Sequence, residues 1–351
     1  MAAPNKIKWG ILGLGKIAGK FAKDLKKLPN AELLAVGSRS IKKAEHFAKE
    51  YGALRVYGSY EALVQDSDVD IIYIATPHSL HCENTIMCLS NRKAVLCEKP
   101  LAVNAQEVRA MLKSAHKNQL FLMEAMWMRY MPVMLKVKYW LAANKIGEIC
   151  TMSADFGFLP KDTSPIKRLY NKELAGGALL DIGIYPLTLA FMVFGKKPRK
   201  ILAEAVLGRG GVDEQTAMIL SYENGAMARL FCSIRVGTPC EAVICGTKGS
   251  IVIHSPFWHG GSATLSVNDE KSITVTGDTG FYFEAADAMQ CLKKGHLESS
   301  LVPLSESLAI TECMDEVRQQ IGLQYPADQS NAAEKLDKPG TKTYSHDQAW
   351  N

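Results

Sequence analysis

The feature that most constrains this chain is the regular alternation of short apolar runs with helical patterns over its first 124 residues. The runs are 7–12, 32–36, 70–75, 94–97 and 120–123, and the helical patterns are 16–28, 41–51, 59–65, 80–91 and 105–118. Strands that alternate with helices of this length form right-handed βαβ units. Strands that are apolar on both faces are typical of a parallel sheet with helices on both sides. Residues 1–124 are therefore predicted to form an α/β domain with a doubly wound parallel sheet.

The pattern changes after residue 124, where longer segments alternate between apolar and polar residues. These segments are 148–157, 199–207, 216–222, 226–235, 241–245, 250–254, 263–267 and 272–275, and the helical patterns are 132–144, 178–194, 283–294 and 305–321. Alternation with a period of two is typical of strands with one solvated face. Residues 125–326 are therefore predicted to form an α+β domain with a largely antiparallel open sheet backed by helices. The polar residues 327–351 are expected to form a loose tail.

The net charge, one apolar stretch and the cysteine content bear on the partners, metal content and location expected for this protein. Lys and Arg number 41 against 36 Asp and Glu, a net charge of +5 that is too small to indicate a nucleic acid or a membrane as partner. The apolar stretch 178–195 contains Asp181, Gly183 and Pro186, which favours a buried helix over a membrane span. The nine cysteines form no C-x-x-C pair, so the sequence predicts no metal site and a reducing, cytoplasmic location.

A glycine motif, Gly13-Leu14-Gly15-Lys16-Ile17-Ala18, joins the first predicted strand to the first helix. Gly13 permits the tight turn, Gly15 lets a pyrophosphate approach the backbone, and Ala18 allows close packing of the helix on the strand. The helix N-terminus at Lys16 and Ile17 offers N–H groups to phosphates. The motif predicts a dinucleotide site of the Rossmann type. The alternative is a structural glycine turn in another α/β sheet.

The end of the second strand decides which dinucleotide is expected. An NAD site would place a carboxylate here for the ribose 2′-hydroxyl, but the chain has Ser38 and Arg39, followed by Lys42 and Lys43. A guanidinium pairs in a bidentate manner with a 2′-phosphate. NADP is therefore predicted over NAD, which stays possible. The alternative is that these basic residues are the solvated start of a helix.

Polar residues also follow the next two buried strands. Thr76, Pro77 and His78, with His81 just beyond, follow one strand, at the edge of the sheet where ligands bind. We expect them to contact the cofactor or the substrate, although His81 fits a buried cap equally well.

Glu98-Lys99-Pro100 follows the next strand and brings an ammonium to the same edge, with a Lys99–Pro100 bond that is a candidate for the cis form. Lys99 could equally form a surface salt bridge.

The second domain contributes Asp181 and Tyr185, within the segment Gly176-Gly177 to Pro186. Residues four apart share one face of a helix. Two polar groups on one face of an apolar segment need partners, and the alternatives are a functional site or a buried pair that the backbone satisfies.

Together, the glycine motif, Glu98-Lys99-Pro100 and the Gly176-Gly177 to Tyr185 segment resemble the Gfo/Idh/MocA oxidoreductases over residues 7–325. The segments 57–61, 93–100 and 121–125 are similar to one branch in particular, the dimeric dihydrodiol dehydrogenases and D-xylose 1-dehydrogenases. The resemblance implies hydride transfer between a nicotinamide and a carbinol or carbonyl carbon of a sugar or cyclic diol. It also implies a homodimer formed through the open face of the second sheet.

The same resemblance implies roles for individual residues. Lys99 and Tyr185 would be the catalytic pair, with Asp181 orienting Lys99 or binding a substrate hydroxyl, and Glu98 beside the cofactor. Trp127, Arg129, Phe156, Trp258 and Phe283 would line the substrate pocket, with core packing as the alternative. A cation within ~4–6 Å would lower the pKa of Tyr185 by ~1–3 units. Two other functions stay open: an NADP-binding regulator without catalysis, and an NADPH-dependent anhydro-sugar reductase.

Overall fold

A computed structural model describes residues 6–329 of the chain. Its strands are β1 (Ile7–Leu12), β2 (Ala31–Gly37), β3 (Arg55–Tyr57), β4 (Ile71–Ile74), β5 (Ala94–Glu98), β6 (Leu122–Ala125), β7 (Ile149–Gly157), β8 (Lys200–Leu207), β9 (Asp213–Ser221), β10 (Met227–Ser233), β11 (Ala242–Gly246), β12 (Gly249–Ile253), β13 (Ser262–Val267) and β14 (Ile273–Thr276). Its α-helices are α1 (Lys16–Leu25), α2 (Ile41–Tyr51), α3 (Tyr60–Val64), α4 (His81–Ser90), α5 (Ala105–Asn118), α6 (Pro132–Ala142), α7 (Ile184–Phe194), α8 (Tyr282–Lys294) and α9 (Leu304–Gln320).

The N-terminal sheet is parallel throughout, in the order β3-β2-β1-β4-β5-β6. This is the doubly wound arrangement, and the strand order reverses direction between β1 and β4. The crevice at the carboxyl ends of these two strands is where such sheets bind their ligands. The predicted parallel sheet is confirmed. The sequence pattern missed β3, since three half-buried residues carry no measurable periodicity.

Side-chain caps begin several of the N-terminal helices. The Ser40 hydroxyl accepts a hydrogen bond from the Lys43 N–H, and the Asn104 side chain accepts one from the Glu107 N–H. Such caps satisfy N–H groups that have no partner within the helix. Helix α2 ends at Gly52, which has a φ of +76° that glycine adopts without steric cost.

The second sheet has eight strands in the order β14-β13-β12-β11-β7-β10-β9-β8. Only the β7–β10 pair is parallel, so the predicted antiparallel character is confirmed for the rest. Helices α6, α7 and α9 contact one face of this sheet. The other face carries exposed apolar side chains: Leu202, Val206, Ile219 and Met227.

The two sheets are joined by more than the chain connection. Helix α8 contacts α1, and α9 contacts α5, so the C-terminal helices pack back on the nucleotide-binding half. Residues 326–329 form a short 3-10 turn, and the Asp328 carboxylate accepts hydrogen bonds from Arg318 and Asn104. The expected loose tail therefore does not include residues 327–329. Its remainder, 330–351, lies outside the described residues.

One apolar segment, Lys172–Phe194, is long enough to cross a bilayer by length and composition alone. Most of its apolar window, 83%, is buried inside the molecule. Its central part is a π-helical turn, Leu179–Gly183, which runs directly into α7. Burial of this kind is typical of a core helix, as the sequence predicts.

Candidate active site

The glycine turn at the end of β1 leaves room for a ligand. Gly13 has a φ of +89°, and a Cβ there would lie 2.9 Å from the Ala75 carbonyl. A Cβ on Gly15 would meet no atom within 4 Å, and no side chain caps the start of α1. The first N–H groups of that helix, at Lys16 and Ile17, thus face open space. The turn fits a dinucleotide pyrophosphate, because uncapped helix N-termini bind anions.

Arg39 lies at the end of β2, the position that selects between the two dinucleotides. Ser38 is buried and its hydroxyl accepts a hydrogen bond from the Ser40 N–H, whereas Arg39 is exposed beside the Tyr60 hydroxyl. No carboxylate is present at 38–40. The chemistry of this strand end fits a phosphate better than a bare ribose hydroxyl.

Two histidines follow β4, and they have different surroundings: His81 lies between backbone carbonyls, and His78 lies beside Asp181. His81 is fully buried, with Nδ1 2.8 Å from the Pro100 carbonyl oxygen and Nε2 2.9 Å from that of Thr76. Burial lowers the pKa of His81 to about 4, so the ring is neutral and donates a hydrogen bond to one of these two carbonyl oxygens only. The structure does not bring His81 into the crevice. Its ring ties the end of β4 to the turn after β5, as in the buried-cap alternative.

His78 adjoins the second domain. Its Nδ1 lies 2.9 Å from the Ala175 carbonyl oxygen, and its Nε2 lies 3.6 Å from Asp181 Oδ1. Burial, and then the charge of Arg168, lowers the pKa of His78 well below its ordinary value. A neutral ring that donates from Nδ1 keeps Nε2 as an acceptor. The neighbouring Thr76 hydroxyl accepts a hydrogen bond from Asn84, which fixes this strand end.

Lys99 and Tyr185 come together although they are 86 residues apart in the sequence. The Lys99 Nζ lies 5.0 Å from the centre of the Tyr185 ring and donates a hydrogen bond of 2.6 Å to the Asp181 backbone carbonyl. The Lys99–Pro100 peptide bond is cis. Lys99 is therefore held between the end of β5 and the π-helical turn rather than in a surface salt bridge.

The Gly176-Gly177 pair explains how that turn is built. A Cβ on Gly176 would lie 2.4 Å from the Arg168 carbonyl oxygen, and one on Gly177 would lie 2.3 Å from Asp213 Oδ1. Asp213 Oδ2 accepts hydrogen bonds from the Leu179 N–H and the Thr216 hydroxyl, both at 2.7 Å. The buried carboxyl of Asp213 thus caps the helical segment that carries Asp181 and Tyr185.

Asp181 Oδ1 is the centre of a charged cluster. It accepts a hydrogen bond from Arg168 Nη2 at 3.1 Å, and the Lys99 Nζ lies 3.6 Å away. Burial alone would raise the pKa of Asp181, but the charges of Arg168 and Lys99 hold it well below its usual range. Asp181 is therefore ionised, and it balances the ammonium of Lys99.

The ionisation of Lys99 and Tyr185 differs from the prediction. Burial raises the pKa of Tyr185 above its ordinary value, and the Lys99 charge offsets only part of that effect. Burial would lower the pKa of Lys99, but Tyr185, Asp181 and Glu98 together raise it. At neutral pH the pair is a phenol beside an ammonium. The sequence argument considered the cation and not the cost of burying a phenolate.

Glu98 faces a second buried cluster. Its carboxyl accepts a hydrogen bond from the Tyr73 hydroxyl on the adjacent strand, and burial raises the pKa of Glu98 to about 7. Glu284, in the first turn of α8, is fully buried, and neither of its oxygens has a hydrogen-bond partner among the described residues. Burial raises the pKa of Glu284 well above its usual range, so this carboxyl is neutral.

Aromatic side chains line the side of Tyr185. Trp127 Nε1 donates a 3.0 Å hydrogen bond to the Tyr185 hydroxyl, and Phe156 stacks on Trp258 with ring centres 3.3 Å apart. The Phe156 and Trp258 rings lie 5.6 and 6.4 Å from the Tyr185 ring. The structure thus brings three of the five predicted pocket residues to Tyr185. We call Trp127, Phe156 and Trp258 the aromatic wall.

The other two predicted pocket residues lie elsewhere. The Arg129 guanidinium is buried, pairs with Glu306 and donates a hydrogen bond to the Leu301 carbonyl. It thereby fastens the start of α9. Phe283 is half-buried and packs against Tyr282, with ring centres 4.2 Å apart. The structure does not bring either side chain to the aromatic wall.

Sequence reasoning missed Arg168, Asp213 and Glu284. Arg168 lies in a segment without periodicity, between residues 158 and 175. Asp213 reads as an ordinary strand start, and Glu284 as an exposed helix residue. No local pattern identifies these residues, since their roles depend on contacts with distant parts of the chain.

Two family profiles match the chain. Residues 7–126 match the GFO_IDH_MocA profile, described as "Oxidoreductase family, NAD-binding Rossmann fold", and residues 134–252 match the "GFO/IDH/MocA C-terminal domain". The chain is also similar in sequence to proteins named trans-1,2-dihydrobenzene-1,2-diol dehydrogenase. Those from Xenopus laevis and Homo sapiens are 40% and 38% identical over 91% and 92% of this chain, and 99% of each relative is covered.

Solved structures show the same fold. A 3-ketoreductase from Actinomadura kijaniata, in complex with NADP and TDP-benzene, is 26% identical, with a TM-score of 0.80 over 90% of this chain and 98% of that one. An aldose-aldose oxidoreductase from Caulobacter crescentus, complexed with glycerol, is 24% identical, with a TM-score of 0.82 over 90% and 97% of the two chains.

Proposed function

Because the chain belongs to the Gfo/Idh/MocA family of NAD(P)-binding oxidoreductases that act on CH–OH groups, we propose that it is an NADP-dependent dehydrogenase of sugars or cyclic diols. It transfers a hydride between the nicotinamide and a carbinol or carbonyl carbon. The observation that carries this proposal is the approach of Lys99 to the Tyr185 ring, at 5.0 Å, beside the carboxyl edge of the parallel sheet.

The two residues divide the proton chemistry between them. When it is bound, the cofactor accepts or supplies the hydride. Tyr185 exchanges a proton with the substrate oxygen, and the Lys99 ammonium stabilises the negative charge that develops there. Because Trp127 donates a hydrogen bond to the Tyr185 oxygen, the phenol proton is free to point toward a substrate.

The cofactor preference rests on the end of β2. The exposed guanidinium of Arg39 and the absence of a carboxylate at 38–40 favour a 2′-phosphate. The open N-terminus of α1 at Gly15 suits the pyrophosphate. A related 3-ketoreductase has been solved with NADP, which supports the same choice.

The side chains around Tyr185 favour a cyclic substrate with several hydroxyls. The aromatic wall offers apolar ring faces for carbon-bound hydrogens, and the Asp181 cluster offers donors and acceptors for hydroxyls. The curated relatives are named for a cyclic vicinal diol. Sugars and cyclic diols both combine one apolar ring face with a hydroxyl edge.

A reductase that acts on the carbonyl of a sugar, including an anhydro-sugar, is the second candidate. The observation that favours it is the raised pKa of Tyr185, because a neutral phenol is ready to donate a proton. A regulator without catalysis is not favoured, because the chain retains both Lys99 and Tyr185 and its curated relatives are dehydrogenases.

Assembly and location are part of the proposal. The exposed apolar face of the second sheet, where Leu202 pairs directly with Ile219, supports a homodimer through that face. Sedimentation equilibrium that returned a monomer mass would reject it. None of the nine cysteines, all within residues 6–329, forms a disulfide, which supports a cytoplasmic location. Imaging of a tagged chain would test it.

The test of function is Tyr185→Phe, with Tyr222→Phe as a matched control. Tyr222 is a buried tyrosine that packs on Phe194, and it is not in contact with the site. We expect Tyr185→Phe to lower kcat by about 10²–10⁴-fold and to leave NADP affinity unchanged, while Tyr222→Phe retains activity. The assay follows the formation of reduced cofactor with a panel of aldoses and cyclic diols, with NADP and with NAD. A near-normal kcat in Tyr185→Phe would remove Tyr185 from the mechanism.

A further inference from the structure

Arg168 stands beside the catalytic pair without a part in the transfer of the hydride or the proton. Its Nη2 donates to Asp181 Oδ1 at 3.1 Å. Its side chain is 36% exposed, whereas those of Lys99 and Asp181 are each 13% exposed and that of His78 is 6%. Arg168 is thus the member of the charged cluster nearest the solvent, where a substrate would arrive.

The backbone around Arg168 is firmly held. The Gly177 N–H donates a 2.8 Å hydrogen bond to the Leu169 carbonyl, and the buried Tyr170 hydroxyl donates one of 3.0 Å to the Ile234 carbonyl. Leu169 and Phe156 pack against the same buried cluster, which includes Tyr170 and Ile182. The guanidinium is therefore presented from a fixed position on the pocket wall, and it is preorganised for binding.

Arg168 and Asp181 together hold unused hydrogen-bonding capacity. Two cationic groups, those of Arg168 and Lys99, approach Asp181 Oδ1. Among residues 6–329, Oδ2 of the same carboxylate has no hydrogen-bond partner, and the guanidinium uses one of its five N–H donors. A donor and an acceptor thus lie side by side, next to the group that stabilises the reacting oxygen.

We propose that Arg168 and Asp181 bind a hydroxyl on the carbon adjacent to the reacting carbon, and that Arg168 thereby selects substrates with vicinal oxygens. This inference rests on the proposed function. A hydroxyl donates one hydrogen bond and accepts others, so it satisfies Asp181 Oδ2 and Arg168 together. A methylene group at the same place leaves both charged groups unpaired.

The spacing of the cluster supports the adjacent position. Lys99 contacts both Asp181, at 3.6 Å, and the Tyr185 ring, at 5.0 Å, so the site for the reacting oxygen and the site for the second hydroxyl share one ammonium. Two oxygens on neighbouring carbons lie close enough together to contact one ammonium. The aromatic wall then holds the apolar face of the ring.

The experiment compares substrate pairs that differ by one hydroxyl. Cyclohexane-1,2-diol against cyclohexanol, and an aldose against its 2-deoxy analogue, are assayed with the wild-type enzyme, Arg168→Met and Arg168→Lys. We expect the wild type to prefer the vicinal diol by about 100-fold or more in kcat/KM. In Arg168→Met the preference falls below about tenfold, mainly through the KM of the diol. The preference of Arg168→Lys, which keeps the positive charge but lacks the planar guanidinium, is expected to lie between those of the wild type and Arg168→Met.

A control variant removes a charge from the neighbouring residue. Lys167 pairs with Asp162, at 3.6 Å, on the loop rather than in the charged cluster. Lys167→Met is expected to keep the wild-type preference. If Arg168→Met instead lowers kcat/KM equally for both members of each pair, Arg168 only supports the loop and the proposal is overturned.

A binding measurement separates this proposal from the proposed function. Trp127 and Trp258 lie in the pocket wall, so quenching of tryptophan fluorescence reports occupancy without turnover. Wild-type enzyme saturated with NADPH, which cannot oxidise the diol, is expected to bind the diol at least tenfold more tightly than the mono-alcohol, and Arg168→Met to lose this difference. Equal affinities in the wild type would reject the role of Arg168. Selective binding without turnover of any substrate would reject the proposed function alone.

Discussion

Two glycine turns in this molecule precede helical segments, and the two helix N-termini differ: one is uncapped and the other is capped by a buried carboxyl. Gly13 and Gly15 precede α1, and Gly176 and Gly177 precede the π-helical turn that leads into α7. At the first turn no side chain caps the helix and the space at Gly15 is open. At the second turn the buried Asp213 carboxyl accepts the Leu179 N–H at 2.7 Å.

The difference shows what each helix end is for. An N-terminus left open retains partial positive charge and free N–H groups for a phosphate. An N-terminus whose N–H group already bonds a carboxyl of the protein has fewer donors to offer a ligand. It fixes the direction of the side chains that follow, here Asp181 and Tyr185. The first turn is therefore suited to binding a phosphate, and the second turn positions the side chains of Asp181 and Tyr185.

The largest expected effect comes from Gly177→Ala. Gly177 has a φ of +113°, and a Cβ there would lie 2.3 Å from Asp213 Oδ1, so both the backbone and the cap are disturbed. We expect the free energy of unfolding to fall by about 2–4 kcal/mol, with kcat falling in the protein that stays folded. Denaturant unfolding and steady-state kinetics measure the two effects.

The matched control for that substitution is Gly195→Ala. Gly195 has a φ of +67° but no atom within 4 Å of a Cβ position. A loss of about 1 kcal/mol is expected there, from the backbone alone. Equal losses at Gly177 and Gly195 would show that contact with Asp213 is unimportant.

A smaller effect is expected in the pH dependence of stability of Asp213→Asn. Burial raises the pKa of Asp213 to about 7 from an ordinary value of 3.8. Between about pH 4 and pH 7 the unfolded chain releases this proton while the folded protein keeps it, so wild-type stability falls as pH rises through this window.

Asparagine keeps an oxygen for the Leu179 N–H and does not titrate. Relative to Asp213→Asn, the free energy of unfolding of the wild type is expected to fall by about 1–3 kcal/mol from pH 4 to pH 7. Above pH 7 the difference between the two proteins is expected to stay constant. Thermal unfolding across this range measures the difference. Parallel stability curves for the two proteins would contradict a buried, neutral cap.

The smallest expected effect on the fold comes from Gly15→Ala at the open turn. The added methyl meets no atom within 4 Å and φ is −86°, so stability changes by less than about 1 kcal/mol. We expect NADP affinity to fall by about tenfold, because the methyl projects where the pyrophosphate approaches. Isothermal titration measures the affinity. Unchanged affinity would place the pyrophosphate away from this turn.

Local sequence patterns predicted the elements well and the site only in part. The bounds predicted for α2 and α5 match the structure, since strong periodicity and capping residues agree there. His81 and Arg129 each belong to a residue type that commonly binds ligands, yet backbone carbonyls hold one and Glu306 holds the other. A residue type indicates what a side chain is able to do, whereas its partners come from elsewhere in the chain.

By itself, the sequence determined the parallel sheet and the glycine turn at Gly13 and Gly15, and its family resemblance predicted Lys99 and Tyr185 as the catalytic pair. These follow from short-range patterns or from whole motifs. Only the tertiary structure decided that Asp213 closes the second turn, that Arg168 joins Asp181, and that Tyr185 is a neutral phenol. The physical reason is that burial and long-range contacts set these properties, and both exist only after distant segments have packed together.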